Sequence, residues 1–320
     1  MVLERAGTEA TGSSKAGLLP VAAVLVTVVL WASAFVAIRH VGHELSAGPL
    51  SLCRLVVAAA VLGGVMLARR HPRERQPHEG PPREGPRRGR FLPPRGAWPR
   101  LLVCGVSWFG VYNVALNEAE RRVDAGTAAM LINIGPLLIA ILAGVLLGEG
   151  FPRRLITGSA VAFAGVVVIS LSSSRGGAAD RWGVLLCVLA AVAYAIGVVA
   201  QKPLLAALPA LQVTWLACTI GAIGCLPFAP ALVRELGSAR PSTIGWAIYL
   251  GVMPTALAFT TWAYALARTS AGRLGATTYL VPPLAIAMGW ALLGETPAAL
   301  AFAGGALCLT GVYLSRRISP

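Results

Sequence analysis

AGTAAMLINIGPLLIAILAGVLLGEG, residues 125–150, returns as AGRLGATTYLVPPLAIAMGWALLGET at 271–296, and the fold is read from that pair. Ala125-Gly126, Pro136, Leu147-Gly148-Glu149, Gly158 and Gly165 come back as Ala271-Gly272, Pro282, Leu293-Gly294-Glu295, Gly304 and Gly311. The offset is 146 each time, so the register runs without a gap from 115–168 to 261–314. Further towards the N-terminus the likeness is fainter. Leu30-Trp31-Ala32 aligns with Ala193-Tyr194-Ala195, and Val36-Ala37 with Val199-Ala200.

The repeated unit is apolar. Hydrophobic residues make up 56% of the 320, only 12% are charged, and the mean hydropathy is +0.72. Long apolar runs broken by short polar turns describe a polytopic membrane protein, because a soluble core of this length needs far less. A net charge of +14 could suggest nucleic acid. The Lys and Arg residues, however, sit between the apolar runs, where insertion topology puts them. All six cysteines fall inside apolar runs without metal-ligand spacing and read as small buried hydrophobes. Ala32-Ser33-Ala34 imitates a signal-peptidase site, but the run 18–38 is longer than a signal-peptide core and reads as a retained first helix.

At about 20 residues per crossing, ten transmembrane helices are expected near 18–38, 48–68, 98–117, 125–147, 154–172, 182–201, 211–230, 243–264, 272–293 and 297–315. The fold class is therefore all-α integral membrane. Residues 1–17 form a tail, 18–172 a first repeat and 182–315 a second. With both termini cytoplasmic, 19 Lys and Arg residues fall on the inner side and 7 on the outer. Without the ten Arg residues between Arg69 and Arg100, in and beside the Arg- and Pro-rich connection at 69–97, the bias is 9 to 7, so the orientation leans on one loop. That loop has too little apolar sequence to bury a core and is expected to be a disordered tether. Five helices per repeat is an odd number, so the copies enter the membrane from opposite sides and form an inverted pair.

Trp31-Ala-Ser-Ala-Phe35, Pro49-Leu-Ser-Leu-Cys-Arg54 and the doubled Ala-Gly, Pro, Leu-Gly-Glu series resemble the drug/metabolite transporter superfamily. The EamA-type members with two five-helix repeats are the nearest match, and the likeness spans nearly the whole chain. It implies a secondary carrier of small organic metabolites or drug-like compounds in the cytoplasmic membrane. Export is the expected direction, and uptake is the alternative. It also implies a substrate path between the repeats and alternating access.

Polar groups at bilayer depth are expensive and are read first as functional. Asn113 and Asn117 share a helix face, with Trp108 and Tyr112 nearby, and Asn133 precedes Pro136 as Tyr279 precedes Pro282 and Pro283. A proline removes a backbone donor, so each break frees a carbonyl that could line a cavity. Trp31, Tyr194, Trp262 and Tyr264 are candidates for an aromatic wall along the path. Arg54 is a lone cation inside a helix, and Glu149 and Glu295 close helices. These three read as gate or structural charges. Glu118, Glu120 and Asp124, with Arg121 and Arg122, form a charged turn expected to be solvated.

No nucleotide-binding loop, zinc signature or catalytic constellation is visible, so neither an enzyme nor a cofactor is expected. The short cluster His40, His43 and Glu44 is a weak metal candidate and is not taken as one. A scaffold or sensor has no use for paired proline-broken helices. The partners implied are a small-molecule substrate and membrane lipid, without nucleic acid. Gly144 and Gly148 have the small-residue spacing of helix contacts, which suits packing within the monomer or a homodimer.

Overall fold

The computed structural model describes residues 6–69, 92–123, 131–173, 180–293 and 299–316. Among them the elements are helical and no strand occurs. In chain order they are α1 (Ala6–Val41), α2 (Ala47–Ala68), α3 (Arg95–Ala119), α4 (Gly135–Leu146) and α5 (Arg153–Ser173). The second half holds α6 (Arg181–Ala207), the bent α7 (Ala210–Gly224 and Leu226–Ser238), α8 (Pro241–Leu266), α9 (Ala271–Leu292) and α10 (Ala299–Arg316).

Seven of these are long and apolar enough to cross a membrane, and α7 makes an eighth if its two arms count as one span. The described parts of α4 and α10 are shorter apolar helices. Expected boundaries shift in several places, α6 for one running on to Ala207 instead of ending at 201. α7 runs on to Ser238 instead of ending at 230, with a 53° bend after Gly224. Pro227 and Pro230 supply no N–H there, so the first helix stops and a second begins. α3 starts at Arg95, inside the stretch expected to be loop; residues 70–91 of that stretch lie outside the described residues. α1 is already helical at Ala6, within the expected tail.

α5 and α10 lie against each other backbone to backbone. A Cβ added to Gly158 would meet Gly311 O at 2.6 Å, and one added to Gly165 would meet Gly304 O at 2.6 Å. On Gly311 it would sit 2.3 Å from Ala162 N. The order of these contacts makes the helices antiparallel. Ala162 and Cys308 meet at the centre, the thiol donating to Ala162 O at 3.4 Å. These two are repeat mates, 146 apart, and Gly158 and Gly165 are the mates of Gly304 and Gly311. Exchanging the copies therefore maps the contact onto itself. Small residues allow this approach, and close approach is what holds helices together where lipid offers no hydrophobic contrast.

A second correspondence is not announced by the repeated motifs. α3 widens to π-helix over Gly105–Val111 and α8 over Gly251–Leu257, again 146 apart. Gly105 packs on α7, where a Cβ would lie 2.6 Å from Ile220 Cβ and 3.1 Å from Ala217 O. Gly251 packs on α2, with 2.6 Å to Val57 Cβ and 3.1 Å to Arg54 O. Ala217 and Ile220 follow Arg54 and Val57 by 163, the same offset that relates Tyr194 to Trp31. Each copy thus presses its π-helical segment onto the other copy. Side chains satisfy the carbonyls that the π register frees. Asn113 Nδ2 donates to Phe109 O at 2.9 Å, and Thr255 Oγ1 donates to Leu250 O at 2.7 Å.

Candidate functional site

The two π-helical segments deliver aromatic side chains to one place. Trp108 and Phe109 belong to the first segment, with Tyr112 just beyond it, and Phe259 and Trp262 follow the second. Trp31 from α1 and Tyr194 from α6 complete the group. Ring centroids lie 5.0 Å apart for Trp31 and Trp262, 4.9 Å for Trp108 and Phe259, and 4.6 Å for Phe109 and Phe259. Trp108 and Tyr194 are 5.3 Å apart, and Tyr112 reaches Tyr194 at 5.8 Å. Tilted and edge-on arrangements predominate, as the ring quadrupoles favour. Glycines make the seats. A Cβ on Gly197 would fall 2.3 Å from Trp108 Cβ, and one on Gly135 would fall 2.7 Å from Tyr194 Cδ1.

Several polar atoms here are buried without a protein partner. Trp31 Nε1 and Trp262 Nε1 have no acceptor, although Trp262 is only 1% exposed. Gln201 lies two helical turns beyond Tyr194 on α6. It is 0% exposed, and neither its Nε2 nor its Oε1 is hydrogen-bonded. Asn117 donates to Ser51 Oγ at 3.0 Å, but its own Oδ1 is buried and unmatched. An orphaned buried donor or acceptor costs about 1–3 kcal/mol. The two indole donors belong to the aromatic group itself, and a solute with both polar and apolar parts would satisfy them.

The remaining sequence candidates separate. Tyr279 has no ring contact with the aromatic group among the described residues and belongs to the α5–α10 cluster that also holds Ala162, Val166, Cys308 and Val312. It sits in a 3₁₀ turn, Thr278–Leu280, directly before Pro282 and Pro283. Asn133 is buried in the turn that precedes α4, with Pro136 in the first turn of that helix. Asn113 is spent on its own helix. Arg54 is buried, and its Nε reaches Thr255 Oγ1 on the π-helical segment of α8 at 3.4 Å. Tyr264 stands beside a turn under Arg268, whose guanidinium carbon lies 3.6 Å from the ring centre.

The charged turn after α3 is only partly as expected. Arg122 pairs with Glu118 at 2.8 Å and Asp180 at 3.5 Å, but Glu120 has a buried carboxylate oxygen; Asp124 lies outside the described residues. Glu149 accepts hydrogen bonds from the backbone of α9, while Glu295 lies outside the described residues. His40 stacks near Trp246, and Glu44 is taken up by Arg240. Among the described residues no group of three or more His, Cys, Asp or Glu side chains could hold a metal.

Phe259 and Gln201 were not singled out in the sequence. Gln201 precedes Lys202, the mate of Arg39 at the 163 offset, and that alignment marks the end of α6 as a place to look. A crevice of about 430 Å³ lies elsewhere, between α3, α6 and α7. Its walls are Val106, Val114, Leu186, Leu189 and similar residues, with Glu118 as the lone charge, so it is an outward-facing apolar groove distinct from the aromatic site.

Taken together, two apolar repeats, cross-packed π-helical segments and seven helices long and apolar enough to cross a membrane define a multi-pass membrane protein. The family model described as "EamA-like transporter family" matches residues 18–171 and 181–317. The chain belongs to the EamA-like transporter family, and it is a transporter, not an enzyme. A protein of Streptantibioticus cattleyicolor named "Probable terminal-alkyne amino-acid exporter" is 38% identical over 299 residues, 92% of each chain. An "Uncharacterized transporter" of Archaeoglobus fulgidus is 28% identical over 90% of this chain and 95% of that one. A Salmonella typhimurium protein named "Probable amino-acid metabolite efflux pump" is 27% identical over 65% of this chain and 72% of its own. A solved crystal structure at 21% identity shares the fold, with a TM-score of 0.73 over 95% of this chain and 96% of that one.

Proposed function

We propose that this chain exports an amino acid or amino-acid derivative across the cytoplasmic membrane by alternating access. The observation that carries this reading is the aromatic centre, built by both repeats around the unpartnered Trp262 Nε1, with the unpartnered Gln201 amide two helical turns from Tyr194 on α6. Ring faces attract an ammonium group. An indole N–H donates to a carboxylate, and an amide both donates and accepts. Such a site suits a solute that carries both charges on an apolar body. The names of the relatives, two of which concern amino-acid or metabolite export, support the same class and direction.

In this reading the ten helical elements are ten spans in two inverted five-helix repeats, with both termini in the cytoplasm. The self-mapping antiparallel contact of α5 and α10 supports the inversion, and the Lys and Arg bias supports the orientation. The path runs along α1, α3, α6 and α8 past Trp31, Asn117, Tyr194 and Trp262. Asn133 and Pro136 open the start of α4 towards it. Tyr279 is left out, because it faces the α5–α10 cluster.

Untargeted mass spectrometry of medium and cytosol, from cells expressing the chain or its Trp262→Phe variant at equal membrane levels, tests this. An amino-acid-like compound enriched outside and depleted inside, only with the intact chain, is the expected result. A compound accumulating inside reverses the direction, and no difference in either compartment counts against constitutive export of a host metabolite.

A further inference from the structure

Two side chains, one from a loop of the first repeat and one from a helix of the second, grip one short turn from its N–H side and its carbonyl side. The turn 267–270 joins α8 to α9. On its N–H side, Glu149 Oε1 accepts from Ala271 N at 2.6 Å and Oε2 from Gly272 N at 3.1 Å. Ser270 Oγ takes the next amide, Arg273 N, at 3.4 Å. On the carbonyl side, Lys202 Nζ donates to Leu266 O at 2.6 Å and to Thr269 O at 2.7 Å. The neighbouring carbonyls of Ala263, Tyr264 and Ala265 are taken by Ala267 N, Arg268 Nη1 and Arg268 N. A helix start carries partial positive charge and a helix end partial negative charge, so a carboxylate at α9 and an ammonium at α8 each meet their complement.

The grip crosses the repeats. Glu149 lies in the loop after α4 in the first copy, whereas Lys202, α8 and α9 belong to the second. Gly148 and Gly150 flank Glu149 with φ of +67° and +68°, a left-handed backbone suited to glycine, and so aim the carboxylate at α9. Gly272 lets α9 approach closely enough to be held, since a Cβ there would lie 2.9 Å from Leu155 Cδ2 and 3.5 Å from Ala140 Cα. Behind the grip lie Ala143, Leu266, Ala271 and Leu274, all buried and continuous with the aromatic cluster. The contact therefore stands between the site and the end of the bundle that carries the connection 69–97.

We propose that Glu149 and Lys202 are positioning residues for transport: a two-handed clamp that holds the α8–α9 turn closed over that end and must let go for the site to open there. Its role in transport rests on the reading given under the proposed function; its role in closing this end does not. Losing one hand removes two charge-assisted hydrogen bonds, which shifts an open-to-closed ratio by about tenfold or more.

The test uses the full chain in membrane vesicles of both orientations, with Ala143→Cys as a reporter behind the clamp. Labelling is by a membrane-impermeant maleimide, with the parent's own cysteines as background. The reporter should react slowly with the clamp intact. Glu149→Ala should raise its rate about tenfold from the side of the turn and not from the other. Glu149→Gln, which keeps one acceptor, should fall between. Lys202→Met should repeat the effect from a different helix if Glu149→Ala is poorly produced. Glu235→Ala, which removes a comparable helix cap at the opposite end, should leave the rate unchanged.

No rise with either clamp variant, or an equal rise from both sides, would overturn the proposal, the latter marking general loosening. Transport measured alongside keeps the two readings apart. If the parent moves no solute yet the one-sided rise is seen, the export reading falls and the clamp stands.

Discussion

The seam between α5 and α10 and the aromatic centre between α1, α3, α6 and α8 are both made by the two repeats together, yet in opposite materials. At the seam the copies meet mainly through glycine, with a carbonyl or amide close to where each Cβ would go. At the centre they meet through tryptophan, tyrosine and phenylalanine, with ring spacings of 4.6 to 6.4 Å and polar atoms left unmatched. Close backbone contact admits one arrangement and rewards it with many small dispersion terms. Large rings with unused donors tolerate several arrangements and gain from a guest. A carrier needs both: a fixed axis for its halves and a centre able to re-form around a solute.

The contrast breaks most sharply at the seam. Gly311→Ala places a methyl 2.3 Å from Ala162 N, and neither backbone can yield without moving a helix. A loss of about 3 kcal/mol is expected, the upper part of the overpacking range. Thermal unfolding of purified protein in detergent should show it as a large drop in Tm, or as failure to recover folded protein at all. A normal Tm would mean that the seam is not the rigid element.

Gln201 tests the other side of the comparison, because stability and function should move in opposite directions there. Gln201→Leu removes two buried polar atoms that have no partners and keeps most of the volume. Removing such atoms should raise stability by about 1–3 kcal/mol. If the atoms await a solute, export should fall. A rise in Tm with unchanged export would make Gln201 a bystander. A fall in Tm would show that the side chain is matched after all.

The repeat was legible in the sequence because glycine and proline punctuate it at constant offset, and those residues set backbone geometry directly. The α5–α10 contact follows from Gly158, Gly165, Gly304 and Gly311 once the helices are placed. The π-helical segments were not legible. Gly105 and Gly251 match at the 146 offset, but the residues around them differ: Trp108 stands where Pro254 does, and Phe109 where Thr255 does. A π register is fixed by packing against the other copy and by local side chains such as Asn113, and hydrophobic periodicity carries no mark of either. The aromatic cluster was half legible. Trp31, Tyr194 and Trp262 stood out as polar-tipped rings, while Phe259 looks in sequence like any apolar residue. Where Tyr279 packs was not legible, because its place before a proline pair says where the helix breaks and not which way the ring turns.

A subtler change sharpens the picture of the centre. Trp262→Phe keeps an aromatic ring beside Trp31 and Phe259 but removes the unpartnered indole N–H. One neutral hydrogen bond to a guest is worth about 0.5–1.5 kcal/mol, so export of the preferred solute should fall about two- to tenfold. Tm should hardly change, since relief of the unpartnered buried donor offsets the cavity left by the smaller ring. Equal losses for every solute would instead point to damaged packing.

The smallest effect is expected away from both regions, where loops exchange helix caps. Glu44 accepts from Arg240 N at 2.8 Å and from its Nε, and Glu235 accepts from Ser46 N at 2.8 Å and Ser46 Oγ at 2.6 Å. The backbone N–H of Arg240 is the main cause holding the Glu44 carboxyl below its ordinary value near 4.5, and the Arg240 side chain adds to it. A depressed carboxyl stabilises the fold above its unfolded pKa, and that contribution fades as pH falls through the lower folded value. Glu44→Gln should therefore be slightly less stable than the parent at pH 6 to 7, and the two Tm curves should converge as the pH drops below about 4.5. Because the pair is exposed, the gap should be small and should shrink further in high salt. A gap that widens in acid would mean that Glu44 is held in its protonated form, and the loop exchange would then need a different physical account.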